Sequence, residues 1–303
     1  MNLCLVSGAT EPYFGMAGML ATSLERHFHD VPFRLLDFGL TPAQCAFARE
    51  KGWLAPMPAG LSAEHHPFAL KAELGRYLPA DCPIIWLDCD MIAVGGSRGE
   101  IESLLETMKA DGQTVAACQD QGVRSIAEFL ARFPSPELEK ETTSEDRHAP
   151  YLNIGITIFR DRTFLMGWPE ASKRHEVADD MCFEQNALNV WARRNPGQFR
   201  ELDARRWNVH GALLKQIAPG AGGLKCDGEP VYILHATSPG GSEHDEDVVT
   251  LTVDDYSFPT VIKWFRDERL RALQAECLRS FLADNFAALR RHGVMAPSAQ
   301  TAV

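Results

Sequence analysis

Two aspartates at the end of an apolar run are the residues of this chain best suited to chemistry. Residues 84–87 read Ile-Ile-Trp-Leu, typical of a buried parallel strand, and Asp88-Cys89-Asp90 follows directly. In extended backbone, residues two apart project to the same side, so we expect the two carboxylates to converge. They repel unless a cation lies between them or one stays protonated, and oxygen ligands suit Mg²⁺ or Mn²⁺. The alternative is one aspartate capping a helix while the other is solvated.

Strands and helices alternate around this pair over the first 120 residues. The alternation predicts an α/β protein with an open, doubly wound, mostly parallel sheet covered by helices on both faces. Its ligand crevice lies beyond the carboxyl ends of the strands. The predicted strands are 3–6, 33–38, 83–87, 114–118, 151–159, 206–209 and 231–235. The predicted helices are 16–27, 42–51, 68–77, 101–110, 162–175, 181–193 and 258–292.

Composition excludes several classes of protein. The chain has 303 residues, of which 45% are hydrophobic and 23% charged, as in ordinary globular proteins. Its net charge of −11 argues against a protein that neutralises a row of nucleic-acid phosphates. No run reaches the roughly 18 apolar residues of a membrane span, and residues 3–6 are too short for a signal core, so export is not predicted. Eight scattered cysteines without a Cys-x-x-Cys pair predict reduced thiols and a cytoplasmic protein.

Three further segments carry predictions about organisation. Residues 133–150 are polar and predict a surface excursion that could act as a mobile flap, and the glycine-rich stretch 219–223 predicts a loop. Residues 258–292 have helical spacing with seven basic and four acidic side chains. We favour the interpretation that this amphipathic helix packs on the domain with its charges solvated. The alternative is a peripheral contact with an anionic membrane, which for a cytoplasmic protein is the inner face of that membrane.

Several motifs in the same order resemble the signature of family 8 glycosyltransferases, a family that includes glycogenin and bacterial lipopolysaccharide galactosyltransferases. They are Phe-Ala-Leu-Lys-Ala-Glu-Leu-Gly-Arg-Tyr-Leu-Pro at 68–79, the Asp-x-Asp strand at 84–90, Tyr-Leu-Asn-Ile-Gly-Ile-Thr-Ile-Phe-Arg at 151–160, Phe-Glu-Gln-Asn-Ala-Leu-Asn at 183–189, Trp-Asn at 207–208 and Ile-Leu-His at 233–235. Together they span about residues 2–238 and are far more specific than any one motif alone.

The resemblance implies a GT-A fold and transfer of a sugar from a nucleotide donor, a UDP-sugar by family habit, with retention of anomeric configuration. The acceptor is a hydroxyl on a glycan, a lipid-linked molecule or a protein, as in polysaccharide biosynthesis. We place a GT-A domain at 1–257, with a nucleotide-binding half to about 120 and an acceptor half from 121 to 257. The resemblance leaves the segment after 240 unexplained, and helical spacing predicts a C-terminal helical extension and tail at 258–303. Asp88, Asp90 and His235 are the implied ligands of Mn²⁺ or Mg²⁺, and the imidazole favours Mn²⁺. For His235 alone, the alternative is a buried histidine hydrogen-bonded at a strand end.

The resemblance also assigns the other site residues. Glu184 and Gln185 stand where the family grips the donor sugar near its anomeric carbon, and they are the implied catalytic residues together with Lys71, a cation near the diphosphate. Asp120 is a candidate contact to sugar or acceptor or, equally, a turn residue. The implied donor-binding residues are Ala9, Thr10, Tyr13, Lys71, Asp88, Cys89, Asn153 and Gly155, and the implied substrate-binding residues are Asp120, Asn153, Glu184 and Gln185.

The chain departs from the family pattern at four places. Lys71 replaces an arginine, Glu184 an aspartate and Thr10 an acid, and residues 236–241 lack the lysine that often follows the metal-binding histidine. Two other functions therefore stay open. One is a non-catalytic nucleotide-sugar-binding protein that kept the fold. The other is a metal-dependent nucleotidyltransferase or diphosphate hydrolase, for which the expected glycine-rich basic loop after the first strand is absent from residues 8–13.

Overall fold

The computed structural model describes residues 3–78, 82–237 and 244–298. The strands are β1 (Cys4–Ala9), β2 (Phe33–Asp37), β3 (Leu54–Ala55), β4 (Ile84–Leu87), β5 (Met91–Ala93), β6 (Val115–Gln119), β7 (Leu152–Phe159), β8 (Phe199–Leu202), β9 (Ile217–Gly220), β10 (Gly223–Cys226), β11 (Glu229–Pro230), β12 (Ile233–His235), β13 (His244–Val253), β14 (Tyr256–Phe265) and β15 (Ala296–Pro297). The helices are α1 (Phe14–His27), α2 (Pro42–Glu50), α3 (Pro67–Ala72), α4 (Leu74–Tyr77), α5 (Arg98–Ala110), α6 (Ile126–Arg132), α7 (Pro136–Glu141), α8 (Trp168–Val177), α9 (Phe183–Arg194), α10 (Ala204–Trp207) and α11 (Glu268–Arg291).

A mixed central sheet organises the described chain, in the order β3-β2-β1-β4-β7-β6-β8. Its pairs are parallel except those that β7 makes with β4 and β6, which are antiparallel. Every residue of β4 is buried because side chains alternate between two apolar cores: Ile85 and Leu87 enter the core on one face, and Ile84 and Trp86 enter the other. The predicted mostly parallel α/β sheet is confirmed.

Strand direction brings the candidate residues to one edge of this sheet. The carboxyl ends of the parallel strands β1, β4 and β6 lie there, followed in the chain by Thr10, Asp88 and Asp120. Since β7 runs the opposite way, its amino end lies at the same edge and contributes Asn153. The crevice predicted beyond the strand ends therefore has its polar residues in place.

A separate two-stranded sheet carries the predicted histidine to this edge. Strand β12 pairs antiparallel with β5, the strand that immediately follows the aspartate pair, and His235 lies opposite Met91. The Ala236 N–H also donates to the Asp90 carbonyl at 2.9 Å. Backbone pairing thus fixes the last residue of β12 beside the aspartates, although the two lie far apart in the sequence.

The predicted helix 258–292 is wrong in its first part. Residues up to Phe265 form β14, which pairs with β13 in a long hairpin, and the helix α11 begins only at Glu268. Burial explains the difference: Phe258, Thr260 and Ile262 point inward with a period of two, which is the repeat of a strand. Strand β14 also continues across residue 257, the predicted domain boundary.

Three other predicted elements differ from the structure. Predicted strand 206–209 begins inside the short helix α10, which Asp203 caps by accepting from the Arg205 N–H, and only Val209 bridges to β12. The predicted loop 219–223 is the turn region of a β9-β10 hairpin. The excursion 133–150 contains α7, which is attached to the domain by the fully buried Leu138, so this part is packed rather than free.

Helix α11 packs its apolar face on α1. Phe281 is completely buried, with its ring 6.4 Å from that of Phe14 and 6.1 Å from that of Phe47. This arrangement is the packed-helix alternative favoured from the sequence, and it directs the apolar face of α11 into the protein rather than toward a membrane. Among the described residues, no helix combines the length and apolar character needed to cross a bilayer.

Replacing Phe281 with alanine should strongly destabilise the whole domain, because the substitution removes an aromatic ring from the interface between α1 and α11. We expect the free energy of unfolding to fall by about 3–5 kcal/mol. Urea denaturation followed by circular dichroism measures this change. The control Val248→Ala alters a side chain that is 80% exposed and should change stability by less than about 0.5 kcal/mol. Equal effects of the two substitutions would contradict this packing.

Candidate donor and metal site

A cavity of about 480 Å³ opens at the sheet edge described above. Its size lies within the range of small-molecule sites. Lys71, on the short helix α3, and the aspartate pair after β4 contribute charge, while Phe68 and Tyr151 contribute aromatic surface. The predicted residues that line it are Ala9, Thr10, Tyr13, Lys71, Asp88, Cys89, Asp90, Asp120, Asn153, Glu184, Gln185 and His235. Gly155 stands behind this lining, against the ring of His235.

The aspartates converge by a different geometry from the one predicted. Residues 88–90 form a turn rather than a continuation of the strand, and the Met91 N–H donates to the Asp88 carbonyl at 3.2 Å. After this turn the chain leaves the central sheet, and β5 pairs with β12. The turn still directs both carboxylates toward His235: its Nε2 lies 3.1 Å from Asp90 Oδ1 and 3.9 Å from Asp88 Oδ2.

Three residues form one compact set of potential metal ligands. Ligand atoms of Asp88, Asp90 and His235 all lie within 4.8 Å of one another. Asp90 and His235 are buried, whereas Asp88 keeps about a third of its side chain exposed toward the cavity. Two carboxylates and one imidazole provide oxygen and nitrogen donors of the kind that bind a divalent metal ion.

A chain of hydrogen bonds sets the orientation of His235. Its Nδ1 lies 2.9 Å from Asn208 Oδ1, Asn208 Nδ2 donates to Asn153 Oδ1 at 2.8 Å, and Asn153 Nδ2 donates to Asp120 Oδ2 at 2.9 Å. Because an amide oxygen only accepts, Nδ1 must carry the proton. In the neutral ring, Nε2 then presents its lone pair to the aspartates, as a metal-ligating histidine does.

The contact between Asp90 and His235 supports this use of the set. Asp90 Oδ1 is buried, and among the described residues it faces His235 Nε2 at 3.1 Å, which donates to it only if the ring carries a second proton. In the neutral tautomer, it faces the lone pair of His235 Nε2, so two electron-rich atoms meet without a proton between them. A divalent cation bound by both would remove this conflict, and the residues present therefore fit such an ion.

An irregularity between β6 and β7 opens backbone groups to the site. Pairing shifts register between Ala117 and Cys118, which leaves Ile154 and Gly155 outside the ladder of β6. The Ile154 N–H donates to Gln185 Oε1 at 3.1 Å, and the Gly155 N–H donates to the Asn153 side chain at 2.9 Å. A Cβ at residue 155 would collide with the imidazole of His235, so glycine is required for this close approach.

Lys71 is buried and held by several partners. Its Nζ donates to Asp88 Oδ1 at 2.8 Å and to the Ile154 carbonyl at 3.2 Å, and it lies 5.0 Å from the centre of the Trp86 ring. Trp86 Nε1 donates to the same Asp88 oxygen at 2.7 Å. Asp88 Oδ1 is thereby occupied, while Asp88 Oδ2 is the atom that faces His235.

Glu184 occupies an unusual electrostatic position at the start of α9. The helix follows Cys182, whose φ of +53° is rare for a residue other than glycine, and this turn directs the first helical residues into the cavity. Glu184 Oε1 lies 4.0 Å from Lys71 Nζ, and Oε2 accepts no hydrogen bond from the described residues. Burial raises the pKa of Glu184 to about 7, more than the Lys71 charge lowers it.

The remaining predicted residues have identifiable local partners. Asp120 Oδ1 accepts from the N–H groups of Gly122 and Val123 at 2.7 and 2.8 Å, so Asp120 shapes the turn after β6 as well as holding Asn153. Half-buried Tyr13 donates from its hydroxyl to Glu246 of β13 at 3.2 Å. Most of the stretch after His235 that lacks the expected lysine lies outside the described residues, which omit residues 238–243.

The sequence did not single out Lys263 of β14 as a site residue. Its Nζ lies 2.7 Å from Asp90 Oδ2, and it holds the pKa of Asp90 well below its usual range despite the burial of that carboxyl. Lys263 belongs to a segment that we predicted to be a basic helix, so only knowledge of the hairpin could reveal it. Trp86 was also missed, because it reads as a core residue, and Asn208 was seen only as part of a motif.

The solved structures that share this architecture include structures of glycosyltransferases. The galactosyltransferase LgtC in complex with donor and acceptor sugar analogs matches with a TM-score of 0.54 at 17% identity, over 92% of this chain and 96% of that chain. The glycosyltransferase GlyE of Streptococcus pneumoniae TIGR4 matches with a TM-score of 0.52 at 16% identity, over 99% of this chain and 66% of that chain. No protein-family model and no curated protein matches the sequence. The predicted GT-A fold is confirmed.

Glu184→Gln should stabilise the protein at alkaline pH but not at acid pH. The folded protein binds the Glu184 proton more tightly than the unfolded chain, because burial raises the pKa from 4.5 to about 7. Ionising Glu184 in the folded protein lowers the free energy of unfolding. This loss is absent below about pH 4 and reaches its full size above about pH 8. We expect the variant to gain roughly 2–3 kcal/mol over wild type at pH 8, measured by urea denaturation.

The control for this comparison is Glu106→Gln, which removes an exposed carboxylate from α5. It should show a much smaller dependence of relative stability on pH. A Glu184→Gln variant whose stability relative to wild type is the same at both ends of the pH range would disprove the effect of burial on this side chain.

Proposed function

We propose that this protein is a metal-dependent glycosyltransferase that moves a sugar from a nucleoside-diphosphate donor, with UDP-sugar as the expected donor, to a hydroxyl acceptor on a glycan or on a lipid-linked or protein molecule. The single observation that carries the proposal is the set Asp88, Asp90 and His235, which converges at the strand-end cavity of a GT-A fold. Transfer with retention of configuration is part of the proposal and rests on the family resemblance.

Charge complementarity supports a diphosphate donor. Departure of a nucleoside diphosphate places developing negative charge on its phosphate oxygens, and electrostatic stabilisation of such charge is usually the largest catalytic contribution. A divalent cation held by the three ligands would act as a Lewis acid toward that leaving group. Among the described lining residues, the ammonium groups of Lys71 and Lys263 add further positive charge.

The state of Glu184 bears on how retention is achieved. A double displacement needs an ionised carboxylate beneath the anomeric carbon. Burial raises the pKa of Glu184 to about 7, so a large fraction of this side chain is neutral at neutral pH. Gln185 directs its Oε1 to the backbone of β7 and is a poor nucleophile. We therefore favour attack by the acceptor on the same face as the leaving group, whose phosphate oxygen takes the acceptor proton.

The alternatives receive less support from these residues. A non-catalytic relic has no need of two carboxylates and an imidazole whose ligand atoms all lie within 4.8 Å of one another, as those of Asp88, Asp90 and His235 do. A nucleotidyltransferase or diphosphate hydrolase is expected to have a glycine-rich basic loop after its first strand, but residues 8–13 contain no lysine or arginine. We place the activity in the cytoplasm, because the eight cysteines are scattered along the sequence without a Cys-x-x-Cys pair, the usage expected of a protein that keeps its thiols reduced.

The proposal predicts metal-dependent binding of one nucleoside diphosphate. A thermal-shift panel of UDP, GDP, CDP, dTDP and ADP, each with and without Mn²⁺, should show a higher melting temperature for one of them, UDP by expectation, only when Mn²⁺ is present. A ligand at about 100 times its dissociation constant stabilises the fold by about 2.7 kcal/mol. Asp90→Asn should abolish the shift, because it weakens a metal ligand while keeping the shape of the side chain.

Asp111→Asn is the matched control, since it neutralises an exposed aspartate at the end of α5 and should leave the shift intact. Release of free sugar or transfer to an acceptor from the matching nucleotide sugar should follow the same pattern across the variants. No shift with any nucleotide in folded wild-type protein would disprove the proposed donor class. A shift that survives in Asp90→Asn would remove the metal site from the proposal.

A further inference from the structure

Lys263 reaches the candidate site from the C-terminal hairpin, a part of the chain outside the family-like motifs. Its Nζ lies 2.7 Å from Asp90 Oδ2, and its side chain is 22% exposed, at the wall of the same cavity. In the described part of the chain, this ammonium group donates one hydrogen bond, to Asp90. A lysine ammonium has three donors, so two remain for another acceptor.

The two lysines of the cavity are not equivalent. Lys71 is 6% exposed and divides its donors between Asp88 and a backbone carbonyl while its charge lies near the Trp86 ring, so its position is fixed. Among the described residues, Lys263 donates a hydrogen bond to Asp90 alone, and its flexible stem borders open space. Of the two, Lys263 is the cation that can change partner without breaking a buried network.

Asp90 is the point where Lys263 and a metal ion would compete. Lys263 contacts Oδ2 of the carboxylate whose Oδ1 faces His235. An ammonium and a divalent cation on one carboxylate repel each other, so each weakens the binding of the other. A diphosphate bound at the metal would offer the displaced ammonium new anionic oxygens within the same cavity.

We propose that Lys263 exchanges partners: it neutralises Asp90 when no metal is bound and binds a phosphate oxygen of the donor diphosphate when a divalent cation occupies Asp88, Asp90 and His235. The inference rests on the proposed function and assigns a task to the C-terminal hairpin. Lys263 is then a donor-binding residue that couples metal binding to diphosphate binding, and no covalent step is assigned to it.

The backbone at Lys263 is held firmly, so the exchange concerns the side chain alone. The buried Gln274 of α11 donates from Nε2 to the Lys263 carbonyl and accepts from the Phe265 N–H, both at 2.8 Å. The Thr260 side chain, on the same strand, accepts from the Gly15 N–H at 3.1 Å and donates to the Pro12 carbonyl at 2.8 Å. Helices α1 and α11 together therefore fix the point from which the ammonium extends.

The test is the substitution Lys263→Met, which keeps the length of the side chain and removes its charge. Mn²⁺ binding without nucleotide, followed by electron paramagnetic resonance of the free ion, should become about three- to tenfold tighter because the competing ammonium is gone. UDP binding at saturating Mn²⁺, measured by calorimetry, should become about 10- to 100-fold weaker, the range for loss of one charge-assisted hydrogen bond. UMP should lose no more than about threefold, because it lacks the second phosphate.

Opposite changes for metal and diphosphate distinguish this role from a structural one, which would weaken both together. Lys263→Arg should restore most of the UDP affinity, and the surface control Lys109→Met should change neither constant. A Lys263→Met protein that is folded and binds UDP like wild type, or that binds Mn²⁺ more weakly, would overturn the inference. Wild-type protein that binds Mn²⁺ but no nucleoside diphosphate would instead overturn the proposed function, together with the diphosphate half of this inference.

Discussion

Two carboxylates repel each other at the end of a buried strand, and this repulsion determines which charged residues must surround the candidate site. Asp88 and Asp90 converge at a place where water screens little of their charge, so each needs a cation nearby. Lys71 meets Asp88 from α3, and Lys263 meets Asp90 from β14. The short helix on one side and the C-terminal hairpin on the other are thus tied to the same strand end by charge. His235 completes the set through the pairing of β12 with β5.

The sequence predicted the parts of the fold that local patterns determine. The predicted helix 42–51 is observed as α2, and Thr41 caps it by accepting from the Gln44 N–H, because the capping box lies within four consecutive residues. The apolar run of β4 predicted a strand covered on both faces for a similar reason. Residues 258–265 were misread because apolar spacing over a short run fits both a helix and a strand, and pairing with a distant partner decides between them.

The residues that line the candidate site were easier to predict from the sequence than the geometry in which they are arranged. The ordered motifs named the residues that line the cavity, but the register shift beside Ile154 and the turn at Asp88 depend on tertiary pairing. The resemblance implies that Gly155 contacts the donor, and the structure adds a requirement that the motif does not reveal, because the missing side chain makes room for the ring of His235. Lys263 could not be found from spacing at all, since its place follows from how the hairpin lies on α1.

The wide separation of the site residues along the chain has a consequence for synthesis and folding. The contacts of Asp90 with His235 and Lys263 join residues about 145 and 173 positions apart. Such long-range contacts form slowly, and the amino end of a nascent chain emerges from the ribosome first. A nascent chain therefore contains the two aspartates well before it contains the histidine or the hairpin lysine. The buried charges acquire their partners only after the residues of the β13-β14 hairpin have been synthesised, so completion of the site is a late step in folding.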